Sequence, residues 1–283
     1  MTLSETYERD VTLPDGRVLH TYDTGPDSGP SGLTVLWHHG SPQTGALPDP
    51  LRAAAAGRGI RLLSYGRPSY GGSSPSPGRS IGSAARDVAQ VVDALGVDRF
   101  AAVGASGGGP HALACAALLP DRVVGVVTLA GPAPYTSDFD WYAGMVSPGG
   151  PRAATEGREA RARYAQTDEF DENSFTAADY AALEGAWASL GADAGQAGRA
   201  GPDGLIDDDV ALVSPWGFDI TRIEKPVLLV HGGEDRVIPA SHSDWLVHRL
   251  PAAELWFRPH DGHISVLHAV PVALDWLRDK AGS

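Results

Sequence analysis

The stretch from Phe100 to Leu119 constrains this chain most. Phe100-Ala101-Ala102-Val103 is a short apolar run of the kind that forms a buried strand, and Pro110 to Leu119 is Ala- and Leu-rich, as helices are. Between them lies Gly104-Ala105-Ser106-Gly107-Gly108, so the spacing predicts a strand, a sharp turn carrying Ser106, and a helix. A strand and a helix joined by so few residues approach closely enough to exclude side chains, which accounts for glycine at 104 and 108. The first amides of the helix and its positive dipole end suit an anion forming beside Ser106. Pro110 fits the first helical turn, where its missing N–H is not needed. The alternative is a flexible loop, because Gly-x-Ser-x-Gly arises by chance in a chain with 35 glycines; the flanking strand and helix favour the turn.

A serine at such a turn becomes a nucleophile when a base and an acid reach it. Among the ten histidines, His263 follows the strand-like Leu255-Trp256-Phe257 and a Pro/Asp/Gly turn and precedes a helical pattern from Ile264 to Lys280, which puts it on a loop at a strand's C-terminal end. His260 is its nearest rival on the same loop; His38, His39, His111, His231, His242, His248 and His268 read as strand-end, helix or surface residues. For the acid, Val227-Leu228-Leu229-Val230 reads as a buried strand, and Gly232-Gly233-Glu234-Asp235 follows it. Either Asp235 or Glu234 on that turn is suited to hold an imidazole in one tautomer, the alternative being a surface ion pair with Arg236.

Taken in chain order these residues read Ser, Asp, His, and over nearly all of residues 8 to 280, apart from the cap, the chain resembles the α/β-hydrolase superfamily, specifically its capped, single-domain serine members. The segment His38-His39-Gly40-Ser41-Pro42, after the strand Leu33 to Trp37, is similar to that family's His-Gly-x-Pro oxyanion segment. The resemblance implies Asp235 rather than Glu234 as the acid, and the backbone N–H groups of Ser41 and Gly107 as the oxyanion hole. One position departs from the family's pattern: many relatives carry Asp before the Arg after the fourth strand, where this chain has Gly66 before Arg67. Ser106 at the turn, where dehalogenases and epoxide hydrolases of similar fold carry Asp, implies acyl chemistry. The expected reaction is hydrolysis of a small, largely uncharged carboxylic ester or lactone through an acyl-enzyme. Amide or peptide hydrolysis, C–C cleavage and acyl transfer use the same three residues, and a ligand-binding, receptor-like protein is the expectation of another class.

Strand patterns near 34–38, 61–65, 100–104, 123–130, 227–231 and 254–257 alternate with helical patterns near 50–57, 83–95, 107–119, 240–250 and 264–280, and residues 7 to 24 read as an antiparallel pair around Pro14-Asp15-Gly16. Gly25 to Gly32 reads as a loop. Such alternation predicts a mostly parallel sheet of about eight strands with helices on both faces. It stops between Pro132 and Pro215, where Ala153 to Tyr164 and Thr176 to Leu190 show helical patterns. The expected division is a core of residues 1–131 and 216–283 with a helical cap, 132–215, inserted over the sheet edge that carries Ser106. In the cap, Tyr135, Phe139, Trp141, Tyr142 and Met145 form an apolar cluster suited either to line a substrate pocket or to pack the cap on the core.

The cap holds 15 Asp and Glu against five Arg and no Lys, a net −10 of the chain's −13. That excess reads either as a solvated helical surface or as a field that repels anionic substrates, and it makes nucleic acid an unsuitable partner. No apolar run is long enough to span a membrane, and Met1 to Thr6 lacks the basic and apolar regions of a signal peptide, so a cytoplasmic location is expected. The single Cys115, on an Ala-rich helix, reads as a small buried hydrophobe. No Cys/His spacing suggests a metal and no Gly-rich phosphate loop is present, so no cofactor is expected; the partner is a small-molecule ester, lactone or amide. The oligomeric state is not legible from these residues.

Overall fold

A computed structural model describes residues 5–25 and 32–282. Met1 to Ser4 of the amino-terminal segment and residues 26–31 of the expected Gly25–Gly32 loop lie outside the described residues. The strands are β1 (Tyr7–Thr12), β2 (Val18–Asp23), β3 (Thr34–His38), β4 (Arg61–Tyr65), β5 (Phe100–Ala105), β6 (Val123–Leu129), β7 (Val227–Gly232) and β8 (Ala253–Arg258). They form one eight-stranded sheet in the order β1-β2-β4-β3-β5-β6-β7-β8. β1 and β2 pair antiparallel and β2 meets β4 antiparallel, while β4, β3, β5, β6, β7 and β8 run parallel.

Register decides where function is built. His38 of β3 lies opposite Gly104 of β5, Ala105 opposite Leu129 of β6, and Leu129 opposite Val230 of β7. The segments that leave β3, β5, β7 and β8 therefore emerge along one sheet edge, and they carry Ser41, Ser106, Asp235 and His263.

Core helices α1 (Asp49–Ala56), α2 (Ser83–Ala94) and α3 (Gly109–Leu118) lie early in the chain; α9 (Ser241–Val247) and α10 (Val270–Ala281) close it. Alternation along the strands sends side chains to opposite faces. Leu36, Phe100, Ala102 and Leu229 join α2, α3 and α9 in one core, whereas Val35, Trp37, Val103 and Leu228 join α1 and α10 in the other. The single helical pattern expected from Ile264 divides into a 3-10 turn at Ser265–Ala269 and then α10.

Between β6 and β7 lie the insert helices α4 (Gly149–Ala154), α5 (Arg158–Tyr164), α6 (Ala177–Glu184), α7 (Ala188–Arg199) and α8 (Asp203–Val213). The two helical patterns expected here are each broken. Gly157, at φ 95°, separates α4 from α5, and Gly185 separates α6 from α7. The last two helices escaped the sequence pattern because α7 contains Gly191, Gly195 and Gly198, poor helix formers, and α8 carries three consecutive aspartates. Ala182, Trp187 and Leu190 pack into the core of Val35 and Trp37, while Ala211 and Leu212 of α8 reach the other core.

The insert's acidity is not all solvated surface. Asp179, Asp207, Asp208 and Asp209 are buried. Asp207 pairs with Arg158 at 2.7 Å, Asp208 with Arg67 and Arg79 at 2.7 Å each, and Asp209 with Arg161 at 2.6 Å. The three successive carboxylates of α8 are thus each matched to a guanidinium. Replacing Asp209 by Ala leaves the buried Arg161 without its closest partner and is expected to cost about 3–5 kcal/mol in a urea unfolding experiment; the double change Asp209→Leu, Arg161→Met is expected to cost much less. Equal losses in the two variants would show that the pair's charges are not what Asp209 contributes.

Candidate active site

β5 ends at Ala105, Ser106–Gly108 make a single 3-10 turn, and α3 follows at once. Ser106 has φ 51°, a left-handed conformation that costs a non-glycine residue about 1–3 kcal/mol. The flanking glycines are steric requirements. A Cβ at Gly104 would lie 2.3 Å from the Gly108 carbonyl oxygen, and one at Gly108 would lie 2.1 Å from the His38 carbonyl oxygen. This geometry holds the Ser106 side chain above the sheet edge, partly exposed.

His263 reaches Ser106 from the loop after β8, its Nε2 lying 3.0 Å from Ser106 Oγ. Its Nδ1 donates to Asp235 Oδ2 at 2.8 Å, and Asp235 Oδ1 accepts the backbone N–H groups of Val237 and Ile238 at 2.9 Å each. The rivals separate by burial: Glu234 and His260 are exposed, Asp235 and His263 are buried. Arg236 does not take Asp235; it donates to the Asn173 carbonyl.

Burial works against the charge of Asp235, but His263, together with hydrogen bonds from His231 and His263, holds the carboxylate well below its usual range. Burial likewise works against protonated His263, and the neighbouring Asp235 carboxylate, with Asp179 behind it, outweighs that and leaves the imidazole above the ordinary histidine value. The arrangement can pass a proton from Ser106 to His263 while Asp235 stays ionised.

Ser41, in the segment after β3, sits against the turn: a Cβ on Gly107 would lie 2.8 Å from Ser41 Oγ, and one on Gly40 would lie 3.5 Å from Ser106 Cβ. The structure therefore gathers Ser41, Ser106, Gly107, Asp235 and His263 at one place.

The alpha/beta hydrolase fold profile matches residues 34–269. The chain belongs to the α/β-hydrolase family. It is 29% identical over 236 residues to a non-heme chloroperoxidase of Streptomyces lividans, covering 81% of this chain and 83% of that protein. A pimeloyl-[acyl-carrier protein] methyl ester esterase of Nitrosomonas europaea is 41% identical over 49 residues, a match that spans 17% of this chain and 19% of the esterase. Among solved structures, a bromoperoxidase from Bacillus anthracis superposes with TM-score 0.75 at 21% identity, covering 96% of this chain and all of that one, a likeness of fold.

In this α/β hydrolase the apolar cluster of the insert makes packing contacts. Phe139 meets His242 edge to face and Trp245 at a tilt, both of α9, with ring centroids at 5.2 and 5.8 Å. Trp141 is buried, lies 4.9 Å from the His242 ring and donates to the Ala133 carbonyl. Tyr135 and Tyr142 pack on each other beside Trp141, Met145 follows on the same turn, and Arg152 covers the Tyr142 ring at 4.2 Å. Two surface cavities of about 300 and 380 Å³ run along α2 and are not lined by Ser106, Asp235 or His263. Cys115 is fully buried on α3, and burial pushes its thiol far up, as suits a packing residue. No helix among the described residues is long and apolar enough to cross a membrane.

Sequence reasoning missed Asp179. From α6 of the insert its Oδ1 accepts the Ile264 and Ser265 N–H groups at 2.8 and 2.7 Å, directly after His263, and its Oδ2 closes a capping box with Thr176. Gly262 makes room, since a Cβ there would lie 2.1 Å from Asp179 Oδ2. The capping-box spacing of Thr176 and Asp179 was readable; the long-range contact was not. Both Asp235 and Asp179 favour the protonated imidazole, so removing either charge lowers the His263 pKa. In an NMR titration Asp235→Asn is expected to move His263 down most and Asp179→Asn by less but measurably. The same sign makes this pairing stabilise the fold below the ordinary histidine pKa, a contribution lost as pH rises past the raised value. An unmoved titration in folded Asp179→Asn would remove Asp179 from the electrostatics of this site.

Proposed function

We propose that this α/β hydrolase is a serine hydrolase that cleaves small, largely uncharged carboxylic esters or lactones through an acyl-enzyme. The observation that carries the reading is the continuous chain from Asp235 to His263 to Ser106, at 2.8 and 3.0 Å, ending on a serine held at φ 51°. Ser106 Oγ attacks the acyl carbon as its proton passes to His263 Nε2; the carbonyl π electrons move to oxygen, which the N–H groups of Ser41 and Gly107 receive. One such donor is worth about 3–4 kcal/mol in the transition state. Collapse expels the alkoxide, which takes the proton from His263 and leaves Ser106 acylated. Water then gives a proton to the same nitrogen, attacks, and releases the acid with Ser106 restored.

The insert acts as a cap on this reading. Asp179, Asp193 and Asp208 reach from it to the segments after β8 and β3, which supports its seat over the edge that carries Ser106. Its net charge of −10 supports preference for uncharged acyl groups over anionic ones.

The likeness to a non-heme chloroperoxidase favours a second reading, in which hydrogen peroxide replaces water in the second step and the acyl group leaves as a peracid. Halide oxidation dependent on both acetate and peroxide, and lost in Ser106→Ala, would bring this reading forward.

Fluorophosphonate labelling followed by peptide mapping tests the first reading, together with turnover of a short-chain ester series. Stoichiometric modification at Ser106 is expected, and Ser106→Ala and His263→Ala are each expected to lower ester turnover by about 10³-fold or more while leaving the thermal midpoint within a few degrees. An active Ser106→Ala variant would refute the assignment.

A further inference from the structure

We infer that Arg67, locked in place by Asp208 of the insert, is the positioning residue that aims the Ser41 N–H at the reacting oxygen. The inference rests on the serine-hydrolase reading and assigns a role to Arg67, which that reading does not use.

The Ser41 N–H belongs to the same peptide unit as the Gly40 carbonyl, and that unit is trans, so the two groups point in opposite directions. Whatever holds the Gly40 oxygen outward turns the Ser41 N–H inward. His39 Nδ1 donates to it at 2.6 Å and Arg67 Nη2 at 3.3 Å. Arg67 also holds the preceding carbonyl, of His39, at 2.5 Å, and its own backbone N–H donates to His39 Nε2 at 3.0 Å, which settles the His39 tautomer. Burial, reinforced by the Arg67 charge, keeps His39 neutral and so able to accept that bond. Three contacts from one residue thus fix the segment that presents the donor.

The Ser41 side chain is locked in the same way. Its Oγ accepts from Arg67 Nη2 at 2.9 Å and donates to Asp208 Oδ2 at 2.5 Å, so its hydroxyl is committed away from the reacting atoms and the backbone N–H alone is left to face them. Asp208 in turn accepts from Arg67 Nη2 at 2.7 Å, Arg79 Nη1 at 2.7 Å and Tyr70 Oη at 3.0 Å. The two guanidinium groups and the carboxylate have side chains only 1 to 3% exposed, and their charges sum to +1 behind the donor. A buried positive charge there favours the oxyanion over the neutral carbonyl. The insert supplies this carboxylate because position 66, next to Arg67, admits none: a Cβ there would lie 2.7 Å from both the Thr44 and the Tyr70 carbonyl oxygens.

The test is steady-state hydrolysis of p-nitrophenyl acetate together with the rate of fluorophosphonate labelling, whose phosphoryl oxygen occupies the oxyanion position. Arg67→Lys keeps the charge and loses the fork; Asp208→Asn keeps the shape and releases the two guanidinium groups while the net positive charge rises, so a loss in this variant reports position and not charge. Each is expected to lower kcat and the labelling rate by about 10²-fold with KM within about twofold, and the pair combined is expected to cost little more than either alone. Ser41→Ala, which removes one oxygen and leaves the N–H, is expected to cost about tenfold in kcat and serves where the charge variants do not fold. Asp207→Asn, whose partners are Arg158 and Ser69, loosens the insert without touching the segment and is expected to leave kcat unchanged. Full kcat in folded Arg67→Lys, Asp208→Asn or Ser41→Ala, losses confined to KM, or an equal loss in Asp207→Asn would each overturn the inference while leaving the hydrolase reading intact. A wild-type protein labelled at Ser106 that hydrolyses no ester would instead sink the ester reading, and the labelling rates would still judge Arg67 and Asp208.

Discussion

Where β5 gives way to α3, the turn folds back so closely on the end of β5 that no side chain fits at Gly104, and passes so near the end of β3 that none fits at Gly108, and these approaches govern the rest of the site. They force Ser106 into a left-handed conformation that costs about 1–3 kcal/mol. The cost is local, whereas the structure that imposes it is distributed: burying a single side chain such as Phe100 or Leu36 contributes about 1.5–3 kcal/mol, and both cores flanking β5 contain many such residues. The strain therefore persists. Parallel register then makes the other loops converge on the same point without further expense, because β3, β7 and β8 end along the edge where β5 ends.

The insert meets that edge with charge rather than with apolar surface alone. Buried ion pairs add little net stability, since desolvation offsets most of the attraction. They do penalise any other seating, because a displaced insert leaves Arg67, Arg79 or Arg161 buried and unmatched. Trp187, Leu190 and Leu212 pack the insert on the cores, and Asp179, Asp193 and Asp208 bond it to the segments that follow β8 and β3.

Periodicity made the sheet and its core helices legible, because a buried parallel strand is an apolar run and its neighbouring helix an Ala/Leu pattern; the strand spans matched to within a residue or two. Strand-end placement in chain order brought Ser106 and the His263 loop together with the turn of Glu234 and Asp235, and only the resemblance to α/β hydrolases singled out Asp235 on that turn. The insert was legible only as helical. Gly157 and Gly185 divide patterns that look continuous, and local propensity in α7 and α8 is overridden by packing. The run Asp207-Asp208-Asp209 looks like a solvated face because its partners Arg67, Arg79, Arg158 and Arg161 are up to 141 residues away, a separation that carries no local signal. For the same reason Asp179 was invisible as a support of the His263 loop.

Two buried groups of charge of opposite sign meet the segments around Ser106. Behind His263 stand the carboxylates Asp235 and Asp179; behind the Ser41 segment stands the net positive group of Arg67, Arg79 and Asp208. During the proposed attack the imidazole gains positive charge as the substrate oxygen gains negative charge, so each developing charge faces a fixed group of the opposite sign. Groups already in place need no reorganisation when the charges form, which is the condition under which such electrostatics lowers a barrier. A carboxylate from the insert, Asp208, holds the two guanidinium groups of the one in place, and another, Asp179, reinforces the other. On that account the insert belongs to the charge balance of the proposed reaction.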